Sequence, residues 1–406
     1  MTDPSHSLDA LPPPGPGSWW RALRRPGAVV FAILFTLESF ARATLATVIP
    51  LQAYDLLHNT RDVSLLYTAV GIAGLLSNFA IPFLIRSMRR RWVYSLGVGG
   101  LVVTAALIAT STLAGQAAGM LTRAFAGAAI SITLSLYVLD YIRRRDLVRS
   151  EPLRMMFSTV AWTGGPALGV YLHQEIGPGG AEAVSAAAAL TLMGYFWYLR
   201  LTENPAVAAA TRPLPSPIGG IRRFLAQPRL RLAWLIPFGR SSWWAMFFVY
   251  PPLYMVESGH SKMVGALMVS AGNALLILTP LVGRLAQRVG LRRPIVGAFL
   301  ATGCCTMAAA LFYDTPIAVA AALLTASLAA MVLDALGNIP FLRSVRPLER
   351  PQMATVFRTY IDLAELLPAG LYALLLTHYD IRAVFLASGA FLLVVGVVAT
   401  RLPRRF

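Results

Sequence analysis

Lysine is almost missing from this chain: Lys262 is the single lysine among 35 basic residues, and the rest are arginine. Charge of either sign is scarce. Only 13% of the 406 residues are charged and 57% are hydrophobic, with a mean hydropathy of +0.63, whereas a soluble globular chain carries about 25% charged residues. That excludes a soluble domain and leaves a membrane protein. The two cysteines, Cys304 and Cys305, are neighbours; such a pair makes a poor structural disulfide and lacks metal-ligand spacing. Histidine is missing from the interior of the long apolar runs, since His58, His260 and His378 fall between them and His173 stands at the very end of one, and no metal centre is expected. No nucleophile–base set and no glycine-rich phosphate loop is present, so neither an enzyme nor a cofactor is expected. The first twenty residues, MTDPSHSLDALPPPGPGSWW, lack the basic start and apolar stretch of a signal peptide. Their Pro and Gly content predicts a disordered tail over residues 1–26.

What the chain does have is apolar runs of the length, about 20 residues, that a helix needs to cross a bilayer. They lie near 28–49, 63–85, 92–112, 117–139, 154–174, 182–200, 231–254, 263–283, 294–312, 317–340, 353–376 and 383–401. Twelve crossings put both ends on one side. Arginines decide which side: they crowd the first tail (Arg21, Arg24, Arg25), every second connection and the last tail (Arg401, Arg404, Arg405). The alternate connections hold only Arg61, Lys262 and Arg382. Both termini are therefore expected in the cytoplasm. The net charge of +17 and pI near 10.7 then express membrane topology, and nucleic acid is not an expected partner.

Shifted by 202 residues, the sequence meets itself at structurally placed positions. Pro50-Leu51 falls on Pro252-Leu253, His58 on His260, Arg86 on Arg288, Arg90-Arg91 on Arg292-Arg293 and Pro166 on Pro368. The expected fold is an all-α polytopic membrane protein of twelve helices in two similar six-helix halves, 27–200 and 231–402. A linker over 201–230 joins them, and 403–406 forms a short tail. The linker includes IGGIRRFLAQ, which predicts an amphipathic helix on the inner surface. Repeats related by an axis along the membrane normal mark transporter folds whose site lies between them.

Residues 283–294, GRLAQRVGLRRP, resemble the loop motif of the major facilitator superfamily. Gly283, Arg288, Gly290, Arg292 and Arg293 match it, and Gln287 stands where the family has an acid. The first-half copy at 81–91 keeps only its arginines. In the family this loop latches an inner gate to a helix; here the resemblance assigns that role to Arg86 or Arg90 with Asp140. The fourth run carries Arg123-x-x-x-Gly127, similar to a family motif whose arginine is associated with proton coupling. The fifth carries Gly165-Pro166-Ala167-Leu168-Gly169, similar to the motif of proton-driven antiporters, with Ala161 where a glycine is usual.

Eight charged residues lie well inside the runs, away from their ends: Glu38, Arg42, Arg123, Arg240, Asp334, Arg358, Asp362 and Glu365. In "VFRTYIDLAELLPAG", Arg358, Asp362 and Glu365 are spaced i, i+4 and i+7, within roughly 60° of one another on a helix. Facing lipid, each would cost roughly 2.5–3.5 kcal/mol, so this face is expected to look into the bundle. In the superfamily the first, fourth, seventh and tenth helices line the cavity, and Glu38, Arg123, Arg240 and Asp334 put one charge on each. At 1.5 Å per residue, Glu38, Arg240 and Asp362 lie roughly 14 to 16 Å from the inner boundary. The 202-residue shift aligns Glu38 with Arg240, so a contact between them is expected to close the cavity in one state. A second reading makes the charges fixed structural pairs, Glu38 with Arg42 and Arg358 with Asp362 at i, i+4. Trp243, Trp244 and Phe247 are the aromatic candidates for the cavity wall.

These readings point to a monomeric secondary transporter in a bacterial inner membrane. It exports a small organic solute in exchange for protons, with Glu38 and Asp362 as leading proton carriers and Glu365 and Asp334 behind them. The alternatives are uptake or exchange of a small anion held by Arg123 and Arg240, and a receptor or lipid-handling protein of the same fold.

Overall fold

The structure, a computed structural model, describes residues 27–78, 80–141, 144–199, 217–345 and 350–403. The tail at 1–26, most of the linker and the last three residues lie outside them. Every described element is helical. The first half comprises α1 (Ala28–Thr44), α2 (Val48–Leu57), α3 (Thr60–Asn78), α4 (Ala80–Ser87), α5 (Arg90–Ala109), α6 (Leu113–Tyr141), α7 (Arg144–Glu175) and α8 (Gly180–Tyr198). After α9 (Pro217–Leu225), within the predicted amphipathic stretch, come α10 (Pro228–Glu257), α11 (Lys262–Ala274), α12 (Thr279–Val289) and α13 (Arg292–Leu311). The chain closes with α14 (Pro316–Leu336), α15 (Ile339–Ser344), α16 (Arg350–Leu375) and α17 (Ile381–Ala399).

The described residues of each apolar run are largely helical. Seven helical stretches among the described residues are long and apolar enough to cross a membrane on composition alone. α10 and α16 fall outside that set because they carry the prolines and charges that the bundle turns inward: Pro237, Arg240, Pro251 and Pro252 on one, Arg358, Asp362, Glu365 and Pro368 on the other. Large apolar side chains such as Leu76, Phe83, Val160, Leu374 and Val397 point outward.

The packing repeats. α1 lies against α7 and α8, and α5 against α6 and α8; in the second half α10 lies against α16 and α17, and α13 against α14 and α17. The halves meet where α3 packs on α16, α7 on α11 and α2 on α10. One tier of polar contacts joins them at the end that holds the 58–59 and 258–261 connections. There Lys262 pairs with Asp55, the Thr60 hydroxyl donates to Glu257, and Ser64 Oγ meets Tyr250 Oη at 2.8 Å. A second tier lies deeper, where Asn78 Nδ2 donates to Asp362 at 3.3 Å and Arg358 Nη2 to Ser131 Oγ at 2.6 Å.

The first tier has a measurable consequence. The Asp55 and Lys262 side chains keep 43% and 29% of their accessibility, so Lys262→Ala is expected to change stability by less than about 1 kcal/mol. It loosens the seal all the same. A cysteine at the fully buried Ser64 is expected to react faster with an impermeant maleimide when Lys262→Ala is also present. Equal labelling rates would show that the pair seals nothing.

Candidate functional site

The cavity between the halves has a volume of about 360 Å³. Its charged walls are Arg42 and Arg123 from the first half and Arg240, Asp334, Asp362 and Glu365 from the second. Its geometry starts from an interruption in the first apolar run. α1 stops at Thr44 and α2 starts at Val48, with the Ala46 N–H turned to the Ala43 carbonyl at 3.0 Å. This frees the Arg42 carbonyl from its i+4 partner. A bare carbonyl at membrane depth costs several kcal/mol, and Arg123 of α6 satisfies it, donating from Nη2 at 2.9 Å. Gly127, one turn further along α6, leaves room for the Arg42 guanidinium, since a Cβ there would sit 3.3 Å from Arg42 Cζ. Both conspicuous residues of the fourth run thus serve Arg42.

The fifth-run motif also meets this interruption. A Cβ on Gly169 would lie 1.8 Å from the Thr44 carbonyl oxygen, and one on Gly165 2.6 Å from Ala43 Cβ. Pro166 lies between them in α7. Ser270 Oγ on α11 accepts from the Ala167 N–H at 3.1 Å, tying the motif to the other half.

Glu38 does not face the cavity. It is 1% exposed and sits one turn behind Arg42, which reaches it at 3.2 Å. Arg240 does not meet Glu38 either. Its Nε stands 3.5 Å from Asp334 Oδ1, and its Nη2 donates to Ser241 Oγ and to Tyr360 Oη at 3.2 and 3.3 Å. Asp334 accepts from Trp244 Nε1 at 2.8 Å, so this pair is held wholly within the second half. On α16, Asp362 and Glu365 open onto the cavity while Arg358 reaches across to Ser131 on α6.

The aromatic expectation needs correcting. Trp243 and Phe247 turn into the core, 1% and 0% exposed, stacked at 4.9 Å with Trp243 Nε1 donating to Thr306. The cavity is lined instead by Trp244, Phe248 and Tyr250 of α10, Trp162 of α7, Tyr67 of α3 and Tyr372 of α16, with Trp162 and Phe248 meeting across the halves at 5.3 Å. Sequence reasoning passed over Trp162, Asn78, Ser131 and Tyr360. Asn78 and Ser131 were open to the criterion that found the charges, polar groups inside apolar runs.

Of the loop-motif residues, Arg90 is buried at the start of α5 and Arg288 is exposed at the end of α12. Gly290 caps α12 at φ 78° and ψ 171°, a region essentially restricted to glycine. Arg292 opens α13. The side chains of Arg86 and Asp140, and the surroundings of Gly283, lie outside the described residues, as does any contact between the first two. Among the described residues no cluster of His, Cys, Asp or Glu has the arrangement of a metal site.

A profile described as the Major Facilitator Superfamily matches residues 31–367 and 243–405. No curated protein matches the sequence. Among solved structures, a POT family transporter crystallised with 5-aminolevulinic acid superposes with a TM-score of 0.73 at 13% identity, over 92% of this chain and 95% of that one. A peptide transporter POT in complex with sulfate gives 0.69 at 13%, over 95% and 97%. The nucleoside transporter NupG gives 0.68 at 14%, over 92% and 98%. At such identities the likeness speaks for the fold alone. The profile match spans most of the sequence, and with it the chain belongs to the Major Facilitator Superfamily: it is a membrane transporter and not an enzyme.

Proposed function

We propose that the protein is a monomer that exports a small organic solute in exchange for protons, by alternating access at the central cavity. The observation that carries this reading is a cavity between two similar halves, lined at membrane depth by Asp362 and Glu365 and bounded by two tiers of contacts between the halves. Contacts that belong to side chains of opposite halves can break and re-form as the halves rock. Cavity carboxyls then exchange protons with one side at a time; Asp362 and Glu365 take that role ahead of Glu38, which the wall encloses. The reading includes twelve crossings with both ends in the cytoplasm of a bacterial inner membrane, supported by the arginine-rich connections. The Gly165-Pro166 motif supports outward transport. Arg42 and Arg123 at the wall support the second reading, exchange of a small anion.

The test is flux in proteoliposomes. A pH gradient is expected to drive a solute against its own gradient, with a compensating proton movement in the opposite direction. Asp362→Asn combined with Glu365→Gln is expected to abolish the gradient-driven component. Solute flux that ignores the gradient in the unmodified protein would refute proton coupling.

A further inference from the structure

The charges of the cavity do not all find partners. Arg42 has Glu38 behind it, and Arg240 has Asp334. Asp362 has Asn78, with the Arg358 guanidinium within electrostatic reach. Two groups are left over. Arg123, from the first half, has no carboxylate within ion-pair distance among the described residues; one nitrogen holds the Arg42 carbonyl and its Nε is buried without an acceptor there. Glu365, from the second half, opens its carboxylate onto the cavity and makes no ion pair or hydrogen bond among the described residues. The two feel each other's charge without touching, with Arg42 and Tyr67 facing the same space.

We infer that this gap binds a small zwitterion that bridges the halves, its carboxylate on Arg123 beside Arg42 and its ammonium on Glu365. The inference names the substrate class for the transport reading above and rests on it. Unlike charges held apart across an accessible space are the complement of a molecule with opposite charges at its two ends. Charge balance favours the same class. Glu38, Asp334, Asp362 and Glu365 offset Arg42, Arg123, Arg240 and Arg358, so a zwitterion leaves the membrane interior neutral, whereas a lone anion or cation leaves a net charge where charge is most costly. A guanidinium also matches a carboxylate geometrically, as a planar fork with paired donors. Trp162, Trp244 and Phe248 stand in the same cavity, giving a planar or aromatic body a surface to stack on. A volume of about 360 Å³ lies at the lower end of small-molecule sites, roughly 300–1,000 Å³, the range of one or two amino-acid units. Glu365 takes either the substrate ammonium or a proton. One excludes the other, which is the condition that exchange requires.

Three matched probes test this: 4-(aminomethyl)benzoate, a zwitterion near neutral pH; 4-methylbenzoate, an anion; and 4-methylbenzylamine, a cation. Calorimetry on the full chain in nanodiscs is expected to show the zwitterion binding at least about 10-fold more tightly than either singly charged probe, a factor equivalent to about 1.4 kcal/mol. Glu365→Gln keeps the shape and is expected to erase the zwitterion's advantage over the anion. Arg123→Lys keeps a cation that can hold the Arg42 carbonyl but removes the fork, and is expected to weaken zwitterion and anion together. Equal or tighter binding of a singly charged probe, an advantage that survives Glu365→Gln, or no zwitterion binding would each overturn the inference. Flux of another solute class in proteoliposomes would then leave the transport reading standing. Zwitterion binding with no flux would overturn transport and keep the site.

Discussion

Replacing Gly169 with alanine is expected to destabilise the protein by about 3 kcal/mol or more, at the upper end of overpacking costs. The reason is what the new Cβ meets. It would lie 1.8 Å from the Thr44 carbonyl oxygen and 2.8 Å from the carbonyl carbon, and a backbone atom cannot rotate aside as a side chain can. Either α7 moves away or the joint between α1 and α2 deforms. The joint has little tolerance, because the Arg42 carbonyl depends on Arg123 at 2.9 Å and the Ala46 N–H on Ala43 at 3.0 Å. Gly164 supplies the control on the same helix, where a Cβ meets nothing within 4 Å; Gly164→Ala is expected to stay within about 0.5 kcal/mol of the parent. Thermal unfolding in detergent, followed by size-exclusion profile, reads both. Matching curves for Gly169→Ala and the parent would mean that the contact between α7 and α1 relaxes freely.

The same joint marks the limit of sequence reasoning. Helix was legible in all twelve runs because nearly every residue there is apolar, and a backbone surrounded by hydrocarbon has to satisfy its hydrogen bonds internally. The interruption at 45–47 was not legible. Its segment, LATVIP, has no glycine, and its proline comes after the break. The break depends instead on Arg123, Gly165 and Gly169, all on other helices. Those residues drew notice as motif members, but their shared service to α1 is a fact of packing.

On α10, Arg240, Trp244 and Phe248 recur at i, i+4 and i+8 and share the cavity face, while Trp243 and Phe247 form the neighbouring stripe that meets Thr306 and the core. Both stripes are aromatic, so hydrophobicity alone does not distinguish them. The charge at Arg240 does, by marking which stripe looks at water. Glu38 shows the opposite: it carries a charge, but Arg42 one turn on takes it up, and of the two it is Arg42 that lines the cavity.

Arg240 and Asp334 separate a fixed structural pair from a working one. Arg240→Ala is expected to lower transport about 100-fold, and Asp334→Ala by a similar factor. Each single change strands a charge that the other half of the pair now balances, Asp334 keeping only the Trp244 donor at 2.8 Å and Arg240 only the Ser241 and Tyr360 hydroxyls. Breaking a fully buried pair costs about 3–5 kcal/mol. Here the side chains retain 12% and 24% of their accessibility, so cavity water brings the loss toward the lower bound, about 3 kcal/mol; at 1.4 kcal/mol per factor of ten that is about 100-fold if it falls on the transport cycle. The double variant Arg240→Ala/Asp334→Ala removes both charges and leaves nothing stranded. If the pair only holds α10 against α14, the double variant recovers both thermal stability and transport. If it works in the cycle, stability returns and transport does not. Unfolding temperature and initial flux, measured on the two single variants and the double, give that answer directly, because a structural pair moves both quantities together and a functional pair pulls them apart.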